Sequence, residues 1–159
     1  IMLIIFGSGD HWISKIIKKS TCSKWSHVGL VDQDQVIESI GPPFREYLSH
    51  IFLGIDYKKP YGVVTTNLIE FIARYKDSEI RIIDGNIENA RIRIGMSFDM
   101  LGLFCAYLHI NWHDTKKDFC VETVSYAVEH IENHTAHQQR PIDIYWLSSQ
   151  IDYKKGVDV

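Results

Sequence analysis

Apolar and polar positions alternate along this chain in two distinct periods. Met2-Leu3-Ile4-Ile5-Phe6 is an almost unbroken apolar run closed by Gly7-Ser8-Gly9-Asp10, the pattern of a buried strand followed by a turn. Trp12, Ile13, Ile16 and Ile17 then recur at helical spacing, with Lys15, Lys18 and Lys19 between them. That spacing predicts a helix over 10–19 with its apolar residues inward and its lysines outward. After a polar stretch, His27-Val28-Gly29-Leu30-Val31 and Val36-Ile37-Glu38-Ser39-Ile40 read as two strands joined by the turn Asp32-Gln33-Asp34-Gln35. With Val31 opposite Val36, Gly29 faces Glu38 and His27 lies near Ile40, so His27 and Glu38 share one face of the hairpin. Such diagonal neighbours have Cα atoms roughly 7–8 Å apart, a gap two polar side chains can close across the bare Gly29. A one-residue slip would send them to opposite faces.

Gly41-Pro42-Pro43 breaks the second strand, and 44–59 reads as irregular apart from one helical turn over 45–51. A strand over 61–65 follows, then a helix capped by Asn67 and carrying Leu68, Phe71, Ile72 and Tyr75, then a strand over 79–83. The pattern from Ile87 to His109 predicts a long helical region broken near 95–97. A polar loop leads into a helix starting at Cys120, with Asp118 as its N-cap and Val124, Ala127, Val128 and Ile131 along its apolar face. Arg140-Pro141 ends that helix, and 142–147 reads as a last strand. There is no repeat, low-complexity segment or linker. The expectation is one α+β domain over 1–159, helices packed on a small antiparallel sheet.

Composition narrows the partners. The net charge of −3 and scattered basic residues offer no electrostatic basis for binding nucleic acid. The longest apolar run, Met100 to Leu108, falls far short of the ~20 residues a membrane span needs, so none is expected. Met2–Phe6 is too short for a signal peptide, although Ile1 ahead of Met2 leaves a longer N-terminus open. Cys22, Cys105 and Cys120 form neither a disulfide framework nor a zinc motif, which fits a reducing, cytoplasmic setting and leaves a viral or phage origin open. His109 with His113, and His130 with His134, have the i, i+4 spacing of two zinc ligands, but neither pair is completed to four. No metal or cofactor is therefore expected, and the oligomeric state is not set by the sequence.

Cys120 carries the candidate chemistry. It is either a small core residue continuing an apolar stripe or a nucleophile, because the first turn of a helix favours thiolate over thiol. A cysteine nucleophile needs a base and a group to hold that base in the right tautomer. The strand residue His27 and the neighbouring carboxylate Glu38 are of the right types.

Five stretches in order carry a resemblance: Trp25-Ser26-His27-Val28-Gly29-Leu30-Val31, Val36-Ile37-Glu38-Ser39, Gly62-Val63-Val64 leading to Leu68-Ile69-Glu70-Phe71, Phe98-Asp99, and Phe119-Cys120-Val121-Glu122-Thr123-Val124. Together they resemble the successive motifs of the circularly permuted NlpC/P60 proteins, in which the histidine strand precedes the cysteine helix. This papain-like branch includes bacterial YiiX-type proteins, relatives of a poxvirus core protein and the lecithin:retinol acyltransferases. The resemblance runs over 7–147 and implies a small papain-like fold, with Cys120 as nucleophile, His27 as base and Glu38 as the orienting residue. It implies a cysteine hydrolase or acyl-transfer enzyme acting on a peptide or peptidoglycan amide, with a lipid acyl substrate or a catalytically idle binding or virion module as alternatives. Family members often carry Tyr-Asp where this chain has Phe98-Asp99, so that hydroxyl is missing as an oxyanion donor, and the Cys120 backbone N–H is the donor expected here.

Overall fold

The two periods in the sequence resolve into one sheet with helices against it. The computed structural model describes residues 1–54, 61–107, 110, 114, 116–128 and 139–155. Its strands are β1 (Met2–Ser8), β2 (His27–Asp32), β3 (Gln35–Ile40), β4 (Gly62–Asn67), β5 (Asp77–Ile83), β6 (Ser97–Phe98) and β7 (Lys117–Asp118). The helices are α1 (Trp12–Ser20), α2 (Phe44–Leu53), α3 (Leu68–Arg74), α4 (Glu88–Arg91), α5 (Met100–Tyr107), α6 (Cys120–Ser125) and α7 (Pro141–Lys155). The strands form one sheet in the order β5-β1-β2-β3-β4-β6-β7. Every pairing is antiparallel except β6 with β7. The fold is α+β. Among the described residues no helix is long and apolar enough to cross a membrane.

β1 is an interior strand, pairing with β2 on one side and the edge strand β5 on the other, which accounts for its nearly continuous burial. The β2–β3 hairpin has the expected register, Val31 opposite Val36 and Leu30 opposite Ile37. Its loop is tighter than expected. Asp32 and Gln35 are themselves paired, so only Gln33 and Asp34 turn the chain, with Gln33 at φ 58°. The main core joins Ile4, Phe6, Val28, Leu30 and Ile37 of the sheet to Val121 and Val124 of α6 and Ile144 of α7. On the other sheet face Ile5, Val31 and Val36 pack with Phe71 of α3. Asn67 caps α3 as expected, its side chain accepting from the Ile69 N–H at 2.9 Å.

Several expectations are corrected. Residues 142–147 are helical, not a strand, and belong to α7 with Pro141 as its first residue. The helical turn expected over 45–51 is part of a ten-residue helix over 44–53, closed by Gly54 at φ 63°, which takes in flanking residues expected to be irregular. The break expected near 95–97 in the helical region over 87–109 is present, but it is wider than expected and holds β6, which Gly62 of β4 and β7 draw into the sheet between α4 and α5; residues 108–109 lie outside the described residues. On α1, Ile17 is buried but Trp12 and Ile16 are exposed, and Lys18 folds back to donate to the Gly9 carbonyl at 2.7 Å. The helix at Cys120 ends at Ser125, and Val128 then bridges to Gly85. Ile131 and both histidine pairs lie outside the described residues.

Candidate active site

His27 is the first residue of β2, opposite Gly7 of β1, and Glu38 lies in β3 opposite Val64 of β4. The hairpin register places both on one face, and the imidazole Nε2 lies 2.7 Å from Glu38 Oε2. Gly29 matters here for space. A Cβ at that position would come within 2.6 Å of Val36 and 3.4 Å of the Glu38 Cβ. Glu38 is fully buried, whereas His27 retains a little exposure.

Burial by itself would raise the Glu38 pKa, but hydrogen bonds from His27 and Thr66 and the positive charges of His27 and Arg74 bring it below the usual range. An ionised carboxylate only accepts, so Nε2 carries the proton in this bond and Nδ1 is left for another partner. Cys120 lines the same cavity as His27 and lies near enough for its charge to act on the imidazole. Burial alone would lower the His27 pKa; the charge of Cys120, with the charge and hydrogen bond of Glu38, pushes it up to about 10.

Cys120 is the first residue of α6, and its burial fits both readings, since it belongs to the core cluster and also lines a cavity of about 200 Å³. His27 and Ser39 line the same cavity, whose remaining wall is mainly apolar, with Ile13, Ile40, Phe98, Met100 and Leu103. The Cys120 N–H belongs to the first turn of α6, where no carbonyl of the helix itself is available to it.

Asp118 does not cap α6, contrary to expectation; Phe119 holds the N-cap position and makes no side-chain cap bond. The Asp118 carboxylate is fully buried in β7, where Arg93 grips it with both Nε and Nη2, and the Thr123 hydroxyl donates to it at 3.3 Å. The Asp118 carbonyl accepts from Ser39 Oγ at 2.8 Å and from the Asp99 N–H at 3.0 Å. These bonds tie β3 to the residues just before Cys120. Asp99 closes the start of α5, its Oδ1 accepting from the Gly102 N–H at 2.7 Å, and so takes a structural role. Trp25 and Phe119 are core residues, while Trp12 is exposed.

Three residues around the site went unassigned in the sequence. Arg74 Nη1 donates to Glu38 Oε1 at 2.9 Å, and the Tyr75 ring stacks on His27 with centroids 5.3 Å apart and planes 15° from parallel. Arg93 holds Asp118, two residues before Cys120. Tyr75 had a legible signal in its i, i+4 spacing from Phe71, and although it stands just past the end of α3 its ring centroid lies 4.7 Å from that of Phe71. Arg74 had none, because 36 residues separate it from Glu38. No protein-family model matches the chain, and no curated protein matches it.

Proposed function

We propose that the chain is a cysteine hydrolase or acyl-transfer enzyme in which Cys120 is the nucleophile, His27 the acid–base partner and Glu38 the group that orients His27. The observation that carries this is the imidazole bonded to the Glu38 carboxylate at 2.7 Å and lining one cavity together with Cys120. In this reading the thiolate adds to a carbonyl carbon, and the C–N, C–O or C–S bond to the amide, ester or thioester leaving group breaks. His27 gives its proton to the departing atom, then takes one from the water or other acceptor that attacks the acyl-enzyme. The Cys120 N–H is the candidate donor to the oxyanion. The resemblance to permuted NlpC/P60 proteins supports the same three roles and points to an amide in a peptide or peptidoglycan. The apolar cavity wall favours a second substrate, an ester or thioester of an apolar acyl group.

Trapping the acyl-enzyme tests the proposal. The protein is incubated with p-nitrophenyl esters and with acyl-amide substrates, quenched in acid and mapped by peptide mass spectrometry. An acyl adduct on Cys120, absent in Cys120→Ser and formed ~10²–10⁴-fold more slowly in His27→Ala, is the expected result. Absence of adduct from a folded protein with every donor favours the idle binding module and contradicts the enzyme reading.

A further inference from the structure

We infer that the C-terminal end of α3, Arg74 with Tyr75, is the positioning element of this site: Arg74 fixes the Glu38 carboxylate toward Nε2 and Tyr75 holds the imidazole plane. The inference rests on the functional reading above. α3 ends at Arg74, and Tyr75 turns to extended backbone at φ −109° and ψ 138°, so two adjacent residues leave the helix in different directions. Arg74 reaches Glu38 and Tyr75 reaches His27, which places one chain segment on both members of the pair.

The two carboxylate oxygens are divided between different donors, Oε1 to Arg74 and Oε2 to His27, so neither is released by rotation of the carboxylate alone. A fully buried carboxylate facing only a neutral imidazole would take up a proton. Arg74 supplies a charge that does not titrate, whereas His27 changes charge during the proposed cycle. With Arg74 in place, Glu38 remains an acceptor for the Nε2 proton in both halves of that cycle.

The groups facing Glu38 are His27 from β2, the Thr66 hydroxyl from β4, and Arg74 and Tyr75 from α3, with Cys120 of α6 beyond the imidazole. Glu70 stands 3.9 Å from Arg74 Nη2 on the exposed side. The Arg74 guanidinium carbon also lies 6.0 Å from the Tyr75 ring centroid. That ring occupies the place a Cβ on Gly7 would need, 2.7 Å from the nearest ring atom, and Gly7 is the strand partner of His27. The absent Gly7 side chain is what lets the phenol lie flat on the imidazole.

The test is the rate of Cys120 alkylation by neutral iodoacetamide against pH, read by peptide mass spectrometry in wild type, Arg74→Gln and Arg74→Lys. Exposed Cys22 and buried Cys105 serve as internal references. The acid limb of the Cys120 profile is expected to move up by about one pH unit in Arg74→Gln, making the variant ~10-fold slower below the limb. Arg74→Lys, which keeps the charge but loses the fork, recovers part of that shift. An unmoved limb in Arg74→Gln, with a His27-dependent wild-type rate, overturns this inference alone. Reaction of Cys105 alongside Cys120 in Arg74→Gln marks general loosening and also overturns it. A loss confined to anionic iodoacetate shows that Arg74 binds substrate charge instead of positioning Glu38. Wild-type Cys120 that reacts no faster than Cys105 overturns the functional reading beneath.

Discussion

Glu122, two residues after the candidate nucleophile, sets a pH window for the stability of the α6 end of the site. Its side chain is 1% exposed and shares the interior with Asp118 and Asp99 and with the Arg93 guanidinium, whose charge is already gripped by Asp118. Burial, then the negative charges of Asp118 and Asp99, push the Glu122 pKa up to about 8 from its ordinary 4.5, Arg93 offsetting only part of the rise. Below pH 4.5 the carboxyl is protonated in both folded and unfolded chains and contributes no pH dependence. Between 4.5 and about 8 the unfolded chain releases this proton and the folded chain keeps it, so stability falls as pH rises. The slope approaches ~1.4 kcal/mol per pH unit, which amounts to about 2 kcal/mol between pH 5 and pH 7. Above about pH 8 both states are ionised and the loss levels off. Glu122→Gln removes the titration while keeping the shape. Urea unfolding of wild type and variant at pH 5, 7 and 8.5, with m-values compared, reads the difference. The variant's relative stability should rise by about 2 kcal/mol from pH 5 to pH 7 and little beyond pH 8. Parallel pH dependences in the two proteins would refute the reasoning.

Two further outcomes follow from the same interior. Asp118→Asn leaves Arg93 without its carboxylate in a largely buried setting, a change that ordinarily costs ~3–5 kcal/mol. Here Glu122 can ionise and take over, so the single variant should lose less than Asp118→Asn with Glu122→Gln by at least ~1 kcal/mol in urea titrations at pH 7. Equal losses would show that Glu122 does not compensate. Gly7→Ala forces a Cβ to within 2.7 Å of the Tyr75 ring, and overpacking of this kind costs ~1–3 kcal/mol. The thermal midpoint and the Cys120 alkylation rate should fall together, and an unchanged rate would detach Tyr75 from the site.

What was legible in the sequence was local. The β2–β3 hairpin follows from period-two alternation on both arms, and that register alone brings His27 and Glu38 onto one face. The Asn67 cap and the helix behind it are likewise short-range. The failures came where tertiary pairing or a competing signal decided. Ile142-Asp143-Ile144-Tyr145 alternates like a strand, yet Pro141 favours a helix start, and Ile144 alone of the four is fully buried, inside α7. Ser97-Phe98 carries no strand signal of its own and becomes one through Gly62 and Lys117, far away in the chain. Asp118 was of the right type for an N-cap, but its two-pronged bond to Arg93 drew it into the interior. Arg74 reaches the site across 36 residues, a distance no local pattern encodes.

The most direct test of the central claim is the pH dependence of Cys120 alkylation in wild type and His27→Ala, with exposed Cys22 as the reference thiol in the same sample. If Cys120 is paired with His27 as a thiolate, it reacts faster than Cys22 at pH 6 despite its burial, and the advantage disappears in His27→Ala. If Cys120 stays inert until the protein unfolds, or reacts equally in both proteins, it is a core cysteine and the proposed site is not one.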